Sequence, residues 1–556
     1  MLKKAPQTKL HIVILFAISL ILLINVFAVK ELDFFDIPIF FVMAIMVELL
    51  FIMLFFYELI QVLQTPLKII WSLLFAAWKG IQQNNYFLRA RRQYPALFKW
   101  IGERFSIKSH KGLILTIGVL MAIFFLGLFL GIAEDVQFKD LIISVDQRIL
   151  NLMPRIRTGE QTEFFSFVTF LANWQSVIFT SLITLIFLLR KKQKFTGILY
   201  ASSLISAEGS VFLLKHIFGR ARPSPALSLI FEDGFSFPSG HAVAGTVMFG
   251  FLAYLIIKSI KHSLSKILVF LGSIFVIVLI ALSRIYLGVH YPSDVLGSIL
   301  LGCFLLSIFI TISEINERFN LFKQEKTRSL RELRIVPVLL ILFSLFLNTY
   351  FIKIQETKID THPKMLSTVD EKTVEQLPHY SETLIGGQME PVSFIYIGHQ
   401  EQIENLFEKH GWYKADPSTV SNTLKAISIG IRNEQYFNGP VTPSYLNAMP
   451  NDIAFEQPIS GGTFRQRHHT RLWKIDYIFP DGREIWMATA SFDKGVKLSS
   501  HYLPTHAIDS NIDAERSFII ESLGLMNIKY IQIVPPQLGK NSAGDEFFTE
   551  GKAAIV

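Results

Sequence analysis

"FSFPSGHAVAGTVMFGFLAYLIIKS", residues 235–259, runs a polar knot straight into an apolar stretch. From about 241 to 257 the stretch holds no Asp, Glu, Lys or Arg, and runs of this kind become membrane-spanning helices. Serine, glycine and histidine fill lipid badly, so the knot from Phe235 to His241 calls for a chemical reason at the point where a helix enters the bilayer. The whole chain fits a membrane setting. Of its 556 residues 51% are apolar, 50 are Phe and only 18% are charged, a balance foreign to an ordinary soluble protein. The net charge of +8 sits in short basic loops beside apolar runs, which indicates membrane orientation rather than a nucleic-acid groove.

Nine runs read as spans, at about 11–29, 37–62, 112–133, 170–189, 196–214, 241–257, 267–283, 294–313 and 335–352. The first follows Lys3, Lys4 and Lys9 but lacks a small-x-small cleavage pattern, so it reads as an anchor rather than a signal peptide. Basic residues concentrate in 63–111, 190–194, 258–266 and 317–334, whereas the alternate loops are mixed or acidic. The positive-inside rule then places the N-terminus in the cytoplasm and the loops near 215–240 and 284–293 on the outer face. Cys303, the single cysteine, lies in an apolar run, so an intrachain disulfide is excluded and a packed core residue is expected.

From about 353 the chain turns polar. A linker over 353–387 leads into "VSFIYIG" (a strand), the amphipathic "EQIENLFEKHGW", a hairpin turning at Pro480-Asp481-Gly482, a helix at "AERSFIIESLGL" and a strand at "IKYIQIV". The expected architecture is an all-α polytopic membrane bundle of about nine spans followed by a soluble α/β domain. Its parts are a two-span anchor with a basic cytoplasmic segment (1–111), a membrane domain with a six-helix core (112–352), the linker, and an exported domain (388–556).

Three polar clusters fall on the expected outer face. They are Lys215 and Arg222-Pro223 in "KHIFGRARP", Pro238-Ser239-Gly240-His241, and Ser283-Arg284, His290 and Asp294 in "SRIYLGVHYPSD". Together they match Lys-x6-Arg-Pro, Pro-Ser-Gly-His and Ser-Arg-x5-His-x3-Asp. The region 140–315 thereby resembles the type 2 phosphatidic acid phosphatases, which share a fold with vanadium haloperoxidases. Lys215, Arg222 and Arg284 supply cations for a phosphate dianion, with the Arg fork suited to its oxygens. Ser239 and Gly240 precede a helix, so their N–H groups are expected at its anion-binding N-terminus. A carboxylate at Asp294 would fix the tautomer of His290 and leave its other nitrogen as nucleophile. The resemblance implies a phosphohistidine on His290, with His241 protonating the leaving oxygen and later activating water. No metal and no cofactor is expected.

Other polar residues have plainer readings. Arg220 lies outside the pattern and reads as a headgroup anchor. Ser283 is either a phosphate contact or a helix-end cap. Glu208, two turns before Lys215, reads as a partner in a structural ion pair or hydrogen bond rather than a proton relay. Glu48 and Glu58 read as helix-packing polar residues.

Residues 388–530 resemble the LssY-type C-terminal domain, on "PVSFIYIGHQEQIENLFEKHGW", "RQRHHTRLWKIDY" and "THAIDSNIDAERSFI". His468, His469, His501 and His506 with Asp509 have no metal-site spacing and read as surface or core histidines. The expected function is a bacterial inner-membrane phosphatase with its active site and C-terminal domain in the periplasm. Its substrate would be a phosphorylated lipid of the phosphatidic acid, phosphatidylglycerol phosphate, undecaprenyl pyrophosphate or lipid A class, and a periplasmic partner is envisaged for the exported domain. The alternatives are a lipid or solute transporter with an exported binding domain, and vanadate-dependent halide oxidation.

Overall fold

Apolar runs that cannot stay in water form back-and-forth helices whose ends are set by the residues between them. A computed structural model describes residues 66–556 except 67, 71, 74, 75, 78, 107, 139, 140, 323–330, 352–363, 367, 376, 460–462, 499–503 and 543. The expected spans at 11–29 and 37–62, with Glu48 and Glu58, lie outside the described residues. The chain divides into two units. One comprises residues up to Gln137, Gly159–Pro223 and Ile230–Gln355; the other comprises Phe138–Thr158, Ser224–Leu229 and Glu356–Val556.

In the first unit, Leu113–Phe138, Lys194–Phe218, Gly240–Ser259, Ser263–Tyr286 and Pro292–Phe319 are long and apolar enough to cross a membrane. Gly159–Phe170 and Trp174–Arg190, bent by 47°, make a sixth if they form one span. The core is therefore a bundle of five or six apolar helices, and the count of nine is not confirmed. The last expected span forms a helix of only 16 residues, Val336–Phe351. That rises about 24 Å, less than a hydrocarbon core of about 30 Å.

Local chemistry fixes the helix ends that matter. Gly219, left-handed at φ 55°, stops the Lys194 helix. Ser239 is the extended N-cap of the Gly240 helix, and Pro292 occupies the first turn of the next-but-one, where a missing N–H does no harm. Phe237 is fully buried, stacked on Phe129 and edge-on to Phe218, so the knot is pinned to the bundle by an aromatic side chain. A Cβ at Gly297 would stand 2.8 Å from the Phe237 ring, and one at Gly302 2.6 Å from Thr246. Gly302 thus lets the Gly240 and Pro292 helices approach closely, and Gly297 makes room for the Phe237 ring.

The second unit is sheet-rich. Its main sheet has nine strands, seven of them side by side in the order Lys529–Gln532, Lys552–Ile555, Phe394–Gly398, Glu484–Leu498, Arg467–Ile478, Ile453–Pro458 and Tyr413–Lys414. The hairpin expected at Pro480-Asp481-Gly482 is present, with Glu484 opposite Ile478 and Gly482 at φ 86°. The strand at Phe394–Gly398 and the helices at Gln400–Lys409 and Ile512–Ser522 also stand where the sequence placed them. An amphipathic helix, Leu141–Ile156, was not foreseen. It belongs to this unit, where Arg148 pairs with Glu382 at 2.5 Å and Asn151 donates to the Ala448 carbonyl at 2.9 Å.

Candidate active site

The first unit gathers the three polar clusters at one end of its helices, in the loops that follow Phe218, precede Gly240 and join Tyr286 to Pro292. His290 is 1% exposed and sits between two partners of opposite character. Its Nδ1 lies 3.5 Å from Asp294 Oδ2, and its Nε2 lies 3.2 Å from Arg222 Nη1. A guanidinium is a donor only, so Nε2 must present its lone pair and Nδ1 must carry the proton toward Asp294. Burial, opposed by the hydrogen bond and charge of Asp294, pushes the imidazole down to about 4. Near neutral pH this histidine is an uncharged base with its free lone pair aimed into the site.

Arg222 is held in place by the carbonyls of Asp233, Gly234 and Val289 at 2.9–3.2 Å. Arg284 is fully buried; it donates to Thr169 and Glu232 and leaves Nε without a partner among the described residues. Lys215 makes no ion pair with a described residue, and it lies within electrostatic reach of Arg222, Glu232, Arg284 and Asp294. His241 feels Arg284, Glu232, His290 and Arg222. Counting Arg220, four cations face the two carboxylates Glu232 and Asp294, a surplus of two positive charges. Such a surplus matches a phosphate dianion.

Ser239 Oγ is buried without a hydrogen-bond partner among the described residues. An orphaned buried hydroxyl costs about 1–3 kcal/mol and is ready to donate to an anion. Residues 196–318, which contain this whole constellation, match the model of the PAP2 superfamily. The membrane core carries a PAP2 superfamily domain.

Residues 374–553 match the model described as LssY C-terminus. The chain is also 36% identical over 114 residues to Phosphatidylglycerophosphatase B of Bacillus subtilis (strain 168). That match covers 20% of this chain and 54% of the relative, so the chain spans about half the length of the protein it resembles. It is 27% identical to a solved structure, the first transmembrane PAP2 type phosphatidylglycerolphosphate phosphatase from Bacillus subtilis. This covers 36% of the chain and 98% of that structure, at a TM-score of 0.34 too low to carry the fold.

Within the PAP2 domain several expectations need correction. The N–H of Ser239 is not left for an anion: it donates to Ser298 Oγ at 2.7 Å, and the hydroxyl is what remains. Ser283 is fully buried in the last turn of its helix, where its hydroxyl donates back to the Ile280 carbonyl at 2.7 Å. Arg220 is no headgroup anchor. It is largely buried, pairs with Asp294 at 2.5 Å, donates to Ser293 at 2.8 Å and lies over the Tyr291 ring at 4.1 Å. Glu208 is exposed on its helix and makes no direct ion pair or hydrogen bond with a described residue, although the charge of Lys215 reaches it. Pro223 and Pro238 are buried beside the residues they were read with, and the Phe237–Pro238 peptide is cis.

Three neighbours of these residues escaped the sequence reading. Glu232 places its carboxylate against Arg222 at 3.0 Å, against Arg284, and 3.9 Å from His290 Nε2. Burial opposes its ionisation, but Arg284, His241, His290 and Arg222 together hold it well below the usual carboxylate range. Ser236 bridges His290 and Asp294, and Thr169 braces Arg284. Only the acidic pair in "FEDG", the sole carboxylates in the loop between Phe218 and Gly240, hinted at Glu232.

In the second unit, His468 bonds to Glu515 at 2.9 Å and stacks on Phe518, and buried His469 lies 3.5 Å from Asp493. His501 lies outside the described residues, His506 is placed only by its strand register opposite Val496, and Asp509 pairs with Lys494 at 3.0 Å. Among the described residues no cluster of three or more His, Cys, Asp or Glu is arranged to hold a metal ion.

Proposed function

We propose that this protein is an integral membrane phosphatase that removes a phosphate monoester, or the terminal phosphate of a pyrophosphate, from a lipid. The observation that carries this reading is His290, with one nitrogen turned to Asp294 and the other, 3.2 Å from Arg222, left with its lone pair at the mouth of a cation cluster. The likeness to a phosphatidylglycerophosphatase supports phosphatidylglycerol phosphate as the first substrate to try, ahead of phosphatidic acid, undecaprenyl pyrophosphate and lipid A phosphates.

Chemistry follows from the positions. His290 Nε2 attacks phosphorus, the bond from phosphorus to the lipid oxygen breaks, and His241 gives that oxygen its proton. Arg222, Arg284 and Lys215 hold the equatorial oxygens while charge spreads over them. A water then gives its proton to His241 and attacks the phosphohistidine; inorganic phosphate leaves and both imidazoles return to their starting state. Asp294 keeps its proton off throughout and orients His290. The basic loops at the opposite helix ends support an active site on the outer face of a bacterial inner membrane.

Full-chain protein in detergent, given a panel of phosphorylated lipids, should release phosphate, lose this in His290→Ala, and yield an acid-labile phosphoenzyme on rapid quenching. Vanadate should inhibit, and EDTA should not. Lipid binding without turnover in the unaltered protein would instead support the transporter reading. Activity abolished by EDTA and restored by Mg²⁺ would refute the metal-free mechanism.

A further inference from the structure

The strongest unassigned feature lies at the other end of the bundle. A cavity of about 660 Å³ opens between the second half of the Gly240–Ser259 helix and the first half of the Ser263–Tyr286 helix, a size suited to a small-molecule or lipid-chain site. Leu252, Ile256, Leu268, Val269 and Val276 make its walls. Its mouth carries Lys261, His262 and Arg334, and no carboxylate lines it.

Position separates this cavity from the active site. The Gly240 helix begins beside His241 and its 20 residues rise about 30 Å, the thickness of a hydrocarbon core. The cavity is reached from the leaflet opposite the one that delivers substrate to His290.

Charge says what enters. Two nearby lysines are already matched: Lys258 pairs with Glu314 and Glu317, and Lys191 with Glu332. Lys261 and Arg334 are exposed and pair with no described residue. An apolar cavity does not hold water well, and a basic rim between helices on this side of a membrane recognises anionic headgroups. We propose that the cavity seats an acyl chain of an anionic phospholipid from the leaflet opposite the active site, with the phosphodiester held by Lys261, His262 and Arg334.

The test reads lipid retention by native mass spectrometry of the full chain in neutral detergent, offered phosphatidylglycerol or phosphatidylcholine with the same chains. Phosphatidylglycerol should be retained preferentially, and Lys261→Ala with Arg334→Ala should lower its retention by about tenfold or more. Gly272 lines the cavity, and a Cβ there meets no atom within 4 Å. Gly272→Phe should therefore fill the space and abolish retention while the protein still elutes as a folded species. If that variant does not fold, the double alanine variant still decides. Equal retention of the two lipids, or retention untouched by the alanine pair, would overturn the proposal. So would a photo-crosslink from position 272 to any residue before 66, which would make the chain's own N-terminal segment the occupant.

Discussion

Arg222 Nη1 stands 3.2 Å from His290 Nε2, and the same guanidinium reaches Glu232 at 3.0 Å. One side chain thus fixes which nitrogen of the proposed nucleophile keeps its lone pair. Arg222→Lys keeps the charge but not the fork that holds three backbone carbonyls and the imidazole together. Its kcat/KM for phosphate release is expected to fall by roughly 10²–10³, with protein stability little changed, as steady-state kinetics and a thermal melt would show.

Asp294 orients His290 and is itself held by Arg220 and Ser236. Asp294→Asn leaves the shape and reverses the hydrogen-bond sense, so the proton is expected on Nε2 and kcat to fall by about 10³ or more. Arg220→Ala acts through Asp294 and should lower kcat by about tenfold with little change in KM. A larger change in KM than in kcat would make Arg220 a direct phosphate contact instead.

The pH dependence has a definite sign. His290, pushed down to about 4 by burial, is neutral above that pH and nucleophilic there. On the acid side kcat/KM should rise as pH increases through about 4 and be level by pH 6. Stability moves the same way: the unfolded chain, with an ordinary histidine, binds the proton first. The contribution is complete above about 6.5 and is lost as pH falls through 4. An acid limb centred near 6.5 would show that His290 is not the buried base described.

Glu232 lies against Arg222 and Arg284, where the proposed mechanism seats the phosphoryl group. Glu232→Gln removes a competing negative charge from the cation cluster. Vanadate inhibition is expected to tighten by about tenfold, read from Ki measured near neutral pH. Weaker inhibition would assign Glu232 to holding the arginines in position.

The sequence made the frame of the candidate site legible because its residues sit at fixed distances from helix ends. Gly219, Ser239 and Pro292 stop and start helices, and Lys215, His241, Arg284, His290 and Asp294 inherit their places from them. What it did not reveal depends on loops closing over that frame. Glu232 and Ser236 lie between Pro223 and Pro238 with no periodicity to place them, and Arg220 differs from a headgroup anchor only through a partner 74 residues away. Thr169 is just one polar residue in a helix until Arg284 arrives beside it. The Leu141–Ile156 helix was hidden for another reason: it is too charged to read as a span and too short to stand out between two of them. In the C-terminal unit the hairpin and two helices were visible by pattern, while strands such as Lys552–Ile555 owe their place to distant neighbours.

Arg148, on that short helix, finds Glu382 only 234 residues further along the chain. At roughly 5–20 residues per second, a ribosome needs about ten to fifty seconds to supply the partner. Until then Arg148 and Asn151 lack the partners, Glu382 and Ala448, that they hold in the folded unit. The order of synthesis thus delays completion of this unit, whose earliest helix and whose sheet are separated by most of the bundle core in the chain.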